Sequence, residues 1–114
     1  MLSVKDKSIL ECIINHSNNI LEDLSGLTES DFYSDRKTAN SICFDILQIG
    51  ELAKSLSDEF ILKYNAMPWK NIKGMRDWVA HGYHTIEMKR VWKTASEDIK
   101  PLKEYLETIL MEDK

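Results

Sequence analysis

The chain has few of the residues that interrupt helices and no long apolar run. Its 114 residues include only four Gly and two Pro, beside 43% hydrophobic and 30% charged residues. This composition is typical of a globular protein rich in helix and disfavours a disordered chain. A run of about 18 apolar residues is absent, and so is the basic and apolar N-terminus of a signal peptide. We therefore expect a cytoplasmic protein with no membrane segment.

Cysteine and histidine are also scarce, with two and three residues respectively. The sequence contains neither C-x-x-C nor H-E-x-x-H, and neither cysteine has a histidine nearby at zinc-ligand spacing. Cys12 and Cys43 both fall on apolar helical stretches, so we expect two buried free thiols. Any chemistry of this chain should run without a metal and without a cofactor.

Negative charge predominates, and a formal net charge of -4 argues against nonspecific binding to nucleic acid. The average hides an asymmetry. Residues 70 to 93 contain six Lys or Arg against Asp77 and Glu87, so this stretch carries +4 and the remainder of the chain -8. The pattern predicts a basic patch on an acidic body, although lysines on solvated helix faces would give the same count.

Apolar residues recur at helical spacing through the chain, and no strand pattern or internal repeat is present. Ser3-x-x-Asp6 resembles a capping box and Gly26 supplies a C-terminal stop, so the first helix should span about residues 4 to 24. Thr28-x-x-Asp31 is a second capping signal. It opens either a short turn or an early start of the next helix.

The strongest periodicity predicts a long second helix over roughly residues 35 to 57, with a possible break at Ser57-Asp58. Gly50 lies inside this helix, where glycine costs about 1 kcal/mol relative to alanine. Its presence indicates a close contact with another helix or the close approach of a functional group, and we favour the helix contact.

Pro68 starts a short third helix from Trp69 to His81, which Gly82 stops. A fourth helix begins near Thr85, and Pro101 should kink or divide it. The tryptophans Trp69 and Trp92 read as core anchors, and Trp78 and Ala80 as packing residues.

Together these signals predict one domain over residues 1–114, an all-α up-down bundle of four to five helices. The apolar spacing assigns to its core Ile42, Ile46, Ile49, Ala53, Leu56, Ile99, Leu102 and Leu106.

The residues able to carry chemistry are concentrated in the string G-M-R-D-W-V-A-H-G-Y at residues 74–83. Arg76 is a fixed cation suited to phosphate, and His81 is able to give and take protons near neutral pH, so the pair suits phosphodiester chemistry. The alternative is structural. Arg76 and Asp77 would then be surface charges, His81 a helix-end histidine with satisfied hydrogen bonds, and Tyr83 a cap on the core.

Arg76 and His81 lie about 140° apart around an ideal helix and do not share one face. Either the helix ends before His81 and the turn at Gly82 swings the ring back, or motif copies from two chains meet around a twofold axis. We favour a combination of both. Asp77 is four residues before His81 and on the same side, where its carboxylate could orient the imidazole and favour the cation.

The order of motifs along the chain resembles the HepT-like branch of the HEPN superfamily. The resemblance rests on I-G-E-L-A-K-S-L-S at 49–57, P-W-K-N-I at 68–72, the string at 74–83 and V-W at 91–92. It implies an all-α homodimer whose R-x4-H-x-Y motif, in the cleft between protomers, cleaves RNA without a metal as a toxin. It also implies an antitoxin of minimal nucleotidyltransferase fold, which transfers AMP to the motif tyrosine. The toxin homodimer could form a larger hetero-oligomer with this antitoxin.

Matched to the motif residue by residue, the resemblance makes Arg76 and His81 the catalytic pair and Tyr83 the AMP acceptor. Asp77 falls where relatives are often polar, and His84 stands where relatives often have Phe, so it could alter stacking or carry a second proton. The candidate RNA-binding residues are Lys70, Lys73, Lys89 and Arg90. Two alternatives remain: a HEPN module that binds a nucleotide or the nucleotidyltransferase without cleaving, and a purely structural dimer.

Overall fold

A computed structural model describes residues 1–82 and 87–113, apart from the side chains of His81 and Gly82. The described residues form helices and no strand, which confirms the all-α fold. In the first half, α1 spans Val4–Leu24, α2 Glu29–Ser34, α3 Arg36–Ala53 and α4 Asp58–Lys63. In the second half, α5 spans Trp69–Gly82, α6 Met88–Lys93, a π-helical segment Thr94–Asp98 and α7 Ile99–Glu112.

Both ends of α1 form where the local signals predict them. Ser3 Oγ accepts a hydrogen bond from the Asp6 backbone N–H at 3.0 Å. At the other end Gly26 has φ of 75°, the left-handed conformation that glycine adopts without steric cost. Cys12 is exposed, so the prediction of two buried thiols is wrong for Cys12 and confirmed for Cys43. Cys12 follows Glu11 on the solvent side of α1, about 100° around the helix from buried Ile13.

The region between α1 and α5 contains two short helices. Thr28 and Asp31 form a complete capping box, so this signal starts a separate helix, α2. The long helix α3 ends at Ala53, four residues before the predicted end. Ser57 then caps α4, because its Oγ accepts from the Phe60 backbone N–H at 3.1 Å.

Pro101 is preceded by the π-helical segment, which separates α6 from α7. Proline has no N–H for the carbonyl oxygen of Glu97, four residues earlier, and its ring crowds that turn. The wider π turn accommodates this defect without ending the helical path. The predicted interruption therefore lies at Thr94–Asp98 and not at Pro101 itself, which falls inside α7. The predicted start at Thr85 lies outside the described residues.

The core lies around α3, which packs against α1 on one side and α5 on another, while α7 also packs against α1. All eight core residues predicted from the apolar spacing are buried. Trp69 is buried as predicted, and its Nε1 donates to the Tyr64 carbonyl oxygen at 2.8 Å. Trp92 is half-buried, with its ring centroid 5.4 Å from that of Phe32. Ala80 is exposed, so its prediction as a packing residue is wrong.

A buried carboxylate joins α1 to the start of α4. Asp6 is 4% exposed and accepts hydrogen bonds from the Ser57 backbone N–H at 2.9 Å and from Ser57 Oγ at 2.6 Å. Burial raises the pKa of the Asp6 carboxyl, but the hydrogen bonds from Ser57, together with Ser3 and the charge of Lys5, outweigh it and leave the pKa below its ordinary value. The folded protein therefore favours the Asp6 anion.

We predict that Asp6→Asn lowers the free energy of unfolding by about 1 to 3 kcal/mol at pH 7, because an amide nitrogen cannot accept from Ser57. The contribution of the anion is present above the unfolded pKa of about 3.9 and is lost as the pH falls through the lower folded pKa. Urea unfolding between pH 7 and pH 3 should show the two proteins converging below about pH 4. Glu11→Gln, at an exposed position of α1, is the control. A deficit that stays constant down to pH 3 would contradict this account.

Candidate functional site

Gly50 brings the backbones of α3 and α5 into direct contact beneath Arg76. A Cβ at position 50 would lie 2.5 Å from the Arg76 backbone nitrogen and 3.1 Å from the Ile72 carbonyl oxygen. The first distance is shorter than a side chain tolerates and the second is tight, so the predicted close helix contact at Gly50 is confirmed. The helix that carries the motif therefore packs directly against α3 at the position of Arg76.

Four charged side chains form a network across this contact. Arg76 Nε lies 3.1 Å from Glu51 Oε2, and Arg76 Nη1 lies 3.4 Å from Asp77 Oδ1. Lys54 Nζ lies 3.3 Å from the same Asp77 oxygen. The two cations and two carboxylates neutralise one another, and their side chains are 39% to 58% exposed. Arg76 is thus accessible to solvent but already paired.

The hydrogen bond and positive charge of Lys54 hold the pKa of Asp77 below its ordinary value, and Arg76 lowers it further. Glu51 and Lys54 were not among the predicted site residues. A signal for them exists in the sequence, because they follow Gly50 by one and four positions and therefore flank its contact with α5.

Helix α5 continues through His81 to Gly82, so the proposal that it ends before His81 is wrong. Positions 76 and 81 consequently stay about 140° apart, while position 81 falls within about 20° of positions 70 and 74 around the helix. The side chain of His81 lies outside the described residues, as do Tyr83 and His84. The contact predicted between Asp77 and the His81 imidazole stays a prediction, and the described partners of Asp77 are Lys54 and Arg76.

A groove of about 490 Å³ lies between α5, α6 and the π-helical segment, and we call it the α5–α6 groove. Among the described residues, α5 contributes Lys70, Asn71, Gly74, Met75 and Trp78 to its lining. The other side consists of Arg90, Lys93, Thr94 and Asp98. The groove lies on a different face of α5 from the one that contacts α3.

The α5–α6 groove is basic, since its described charged residues are Lys70, Arg90 and Lys93 against Asp98. The fold therefore brings together two of the predicted RNA-binding residues, Lys70 and Arg90. Lys73 is half-exposed and Lys89 exposed, and neither lines the groove. Lys93 belongs to the basic stretch of the sequence but was not a predicted site residue.

Trp78 and Arg90 pair across the groove, with Arg90 Cζ 4.2 Å from the centroid of the Trp78 ring. A guanidinium over an aromatic face is a favourable cation–π contact. Trp78 is half-buried and packs against the core, as predicted. It also forms part of the groove lining, which its sequence position alone did not indicate.

Within the described part of the chain, no group of three or more His, Cys, Asp or Glu residues is arranged to hold a metal ion. None of the helices described is both long and apolar enough to cross a membrane.

Comparison with known proteins identifies several relatives. A family model described as "Ribonuclease HepT-like" matches residues 9–109. The chain is 31% identical over 105 residues to "Putative RNase TTE0752" of Caldanaerobacter subterraneus subsp. tengcongensis, covering 92% of this chain and 94% of that protein. It is 32% identical over 97 residues to "Probable ribonuclease HepT" of Thermococcus cleftensis, covering 85% and 88% respectively. No solved structure matches the chain.

We predict that Gly50→Ala destabilises the protein, because the added methyl group forces α5 away from α3. Overpacking typically costs about 1 to 3 kcal/mol, against the roughly 1 kcal/mol that alanine gains in a helix. Urea unfolding followed by circular dichroism measures the difference. The matched control is Gly74→Ala in α5, where a Cβ has no neighbour within 4 Å in the described part of the chain. That variant should gain about 0.5 to 1 kcal/mol. Equal stabilisation by both substitutions would disprove the tight contact at Gly50.

Proposed function

The chain belongs to the HepT-like ribonuclease family, and we propose on this premise that it is a metal-independent endoribonuclease whose site is Arg76-x4-His81-x-Tyr83. One observation supports the proposal above the others. Helix α5 carries a solvent-accessible Arg76 on one face and a basic groove on another. The helix that carries His81 thus presents positive charge able to bind phosphate on two of its faces.

The proposed reaction begins with attack of a ribose 2′-OH on the adjacent phosphorus. The bond from phosphorus to the 5′-oxygen breaks, leaving a 2′,3′-cyclic phosphate and a free 5′-hydroxyl. His81 takes the proton of the 2′-OH as general base or gives one to the departing 5′-oxygen as general acid. Arg76 stabilises the charge that builds on the phosphoryl oxygens, an effect typically worth about 3 kcal/mol. The nucleophile is part of the RNA, so this step uses no water.

Arg76 reaches RNA by exchanging a carboxylate for a phosphate. Its ion pairs with Glu51 and Asp77 are exposed, and such surface pairs are weak because water screens them. A phosphate that accepts two hydrogen bonds from one guanidinium binds more strongly than these pairs. In the free protein Glu51 therefore positions the guanidinium of Arg76, and a phosphate can displace Glu51 from it.

We further propose a twofold dimer in which the motifs of both chains line one cleft. The support is geometric, since positions 76 and 81 of one continuous helix cannot face the same phosphate. An Arg76 from one protomer and a His81 from its partner would remove this conflict. Lys73 and Lys89 remain candidates for contact with RNA outside the α5–α6 groove, and Asp77 and His84 for tuning the imidazole and the bound strand.

In the cell the enzyme would act in the cytoplasm as the toxin of a toxin–antitoxin pair. Its partner would be a minimal nucleotidyltransferase that inactivates it by adding AMP to Tyr83. This part of the proposal derives from the family resemblance. The competing proposal is a HEPN module that binds a nucleotide or the nucleotidyltransferase at the same cleft and cleaves nothing.

We predict that His81→Ala and Arg76→Ala each lower the rate of RNA cleavage by at least about 10²-fold, with helix content unchanged. Cleavage by the unaltered protein should persist in EDTA, because the nucleophile belongs to the substrate and Arg76 supplies the positive charge. A labelled RNA with mapped 2′,3′-cyclic phosphate ends measures both effects. Full activity of His81→Ala, or loss of cleavage on chelation, would place the chemistry elsewhere. No cleavage by the unaltered protein would favour the binding module.

Mixing the two inactive variants tests the shared cleft. If Arg76 and His81 of one site come from different protomers, a mixed dimer contains one intact site. Because half of randomly mixed dimers are mixed, about a quarter of the original activity should return. A site built within one chain would regain none.

We predict that the partner nucleotidyltransferase and ATP add AMP units to a peptide containing Tyr83, detected by mass spectrometry. The added phosphate and base would repel and occlude RNA at the cleft. Tyr83→Phe keeps the ring, removes the acceptor oxygen and should gain no mass. Modification that maps to Tyr33, Tyr64 or Tyr105 would contradict the assignment.

A further inference from the structure

The floor of the α5–α6 groove is open at Gly74. A Cβ at this position would have no atom of the described residues within 4 Å, so their packing does not require a glycine here. In a helix interior glycine is unfavourable, and it is used where something approaches the backbone closely. At Gly50 the backbone of α5 makes this close approach, whereas Gly74 faces the groove.

Trp78 and Arg90 provide a stacking surface beside this open floor. Trp78 packs against the core on one side, and the Arg90 guanidinium lies 4.2 Å from its ring centroid. Unpaired bases of RNA are bound by stacking on aromatic rings and on arginine planes. The guanidinium covers the ring of Trp78, so the plane that remains for a base is the outer face of Arg90, which the ring holds in position before a ligand arrives.

The groove also has the size and charge for a nucleotide. Its volume of about 490 Å³ falls within the range of small-ligand pockets, about 300 to 1,000 Å³. Lys70 and Lys93 stand on opposite walls and supply positive charge for a phosphate. A single base with its phosphate therefore matches the groove better than a duplex does.

Two polar side chains at the groove are able to read the edge of a base. Asn71 offers a donor and an acceptor, while the Asp98 carboxylate only accepts hydrogen bonds. Asp98 therefore favours a base with an exocyclic amine, such as cytosine, and disfavours uracil, which has a carbonyl oxygen at the same place. Asp98 comes from the π-helical segment, a conformation frequent at functional sites.

We propose that the α5–α6 groove is a specificity subsite for one unpaired, amine-bearing nucleotide of an RNA strand, with its base stacked on the Arg90 guanidinium that Trp78 supports. The inference rests on the proposed function for the nature of the polymer. Position 81 lies on the groove side of α5, within about 20° of position 74. The nucleotide in the groove is therefore a neighbour of the scissile phosphate, and its base sets where the chain cuts.

Binding to 2′-O-methyl oligonucleotides tests the subsite without cleavage, because the blocked 2′-oxygen cannot attack. Fluorescence anisotropy with labelled hexacytidylate and hexauridylate should show tighter binding of the cytidine strand by about tenfold, the discrimination of one well-placed base contact. Asp98→Asn should abolish most of this preference. Equal affinities for the two strands, or an unchanged preference in Asp98→Asn, would overturn the role of Asp98.

Gly74→Ala separates binding from folding. The added methyl group enters open groove space, so affinity for hexacytidylate should fall by about tenfold or more while the melting temperature does not decrease. Lys7→Ala removes one positive charge at an exposed position of α1, outside the groove, and measures the general effect of charge on RNA binding. It should lose much less affinity for hexacytidylate than Gly74→Ala does. Unaltered affinity in Gly74→Ala would overturn the subsite. So would binding of free CMP as tight as that of the hexanucleotide, which would indicate a site for a free nucleotide.

The two proposals fail separately. If the unaltered protein binds cytidine strands in a Gly74-dependent way but cleaves no RNA, the subsite stands and the ribonuclease proposal falls. If RNA is cleaved and Gly74→Ala cuts the same sequences with the same KM, the ribonuclease stands and the subsite falls.

Discussion

The backbone contact between α3 and α5 at Gly50 is the constraint on which the candidate site depends. Because position 50 has no side chain, the α5 backbone at Ile72 and Arg76 approaches α3 more closely than any other residue would allow. The contact at Gly50 fixes the position of α5 along α3 and the rotation of α5 about its own axis. One face then meets Glu51 and Lys54 of α3, and another is left to form the groove with α6 and the π-helical segment.

The charges of the molecule follow this arrangement. The stretch from residue 70 to 93 carries +4 within a chain of net charge -4, so the rest of the surface repels a polyanion. This distribution would attract a single strand of RNA to α5 and α6 and repel it from α1, α3 and α7. The proposed RNA binding is therefore compatible with an acidic overall composition, because the cations are concentrated in one stretch.

Features that depend on neighbouring residues were predictable from sequence, and features that depend on distant packing were not. The caps at Ser3 and Thr28 and the stop at Gly26 follow from local rules and formed as predicted. The unfavourable Gly50 indicated a close helix contact but not its partner, α5. Cys12 was misplaced because an apolar neighbourhood does not reveal which face of α1 turns inward.

The same distinction holds for the candidate site, where single residues were predictable from sequence and their partners from other helices were not. Arg76 was recognisable from its motif, but its partners Glu51 and Lys54 come from another helix. The α5–α6 groove was not predictable, because it requires the return of the chain after residue 86 and the π turn that brings Asp98 to its wall. Lys70 and Arg90 were predicted individually as RNA-binding residues, yet nothing in the sequence showed that they share a groove or that Trp78 lies between them.

In the proposed mechanism, binding and catalysis depend on different cations. When Arg76 leaves Glu51 for a phosphate, the freed carboxylate stays beside the RNA, and its repulsion offsets much of the gain in ground-state binding. The gain is larger when additional charge builds on the phosphoryl oxygens, since the interaction of a fixed cation grows with that charge. An interaction stronger in the transition state than in the ground state accelerates the reaction rather than tightening substrate binding. The neutral network thus suits Arg76 to the chemical step, and the unbalanced cations Lys70, Arg90 and Lys93 suit the groove to holding the strand.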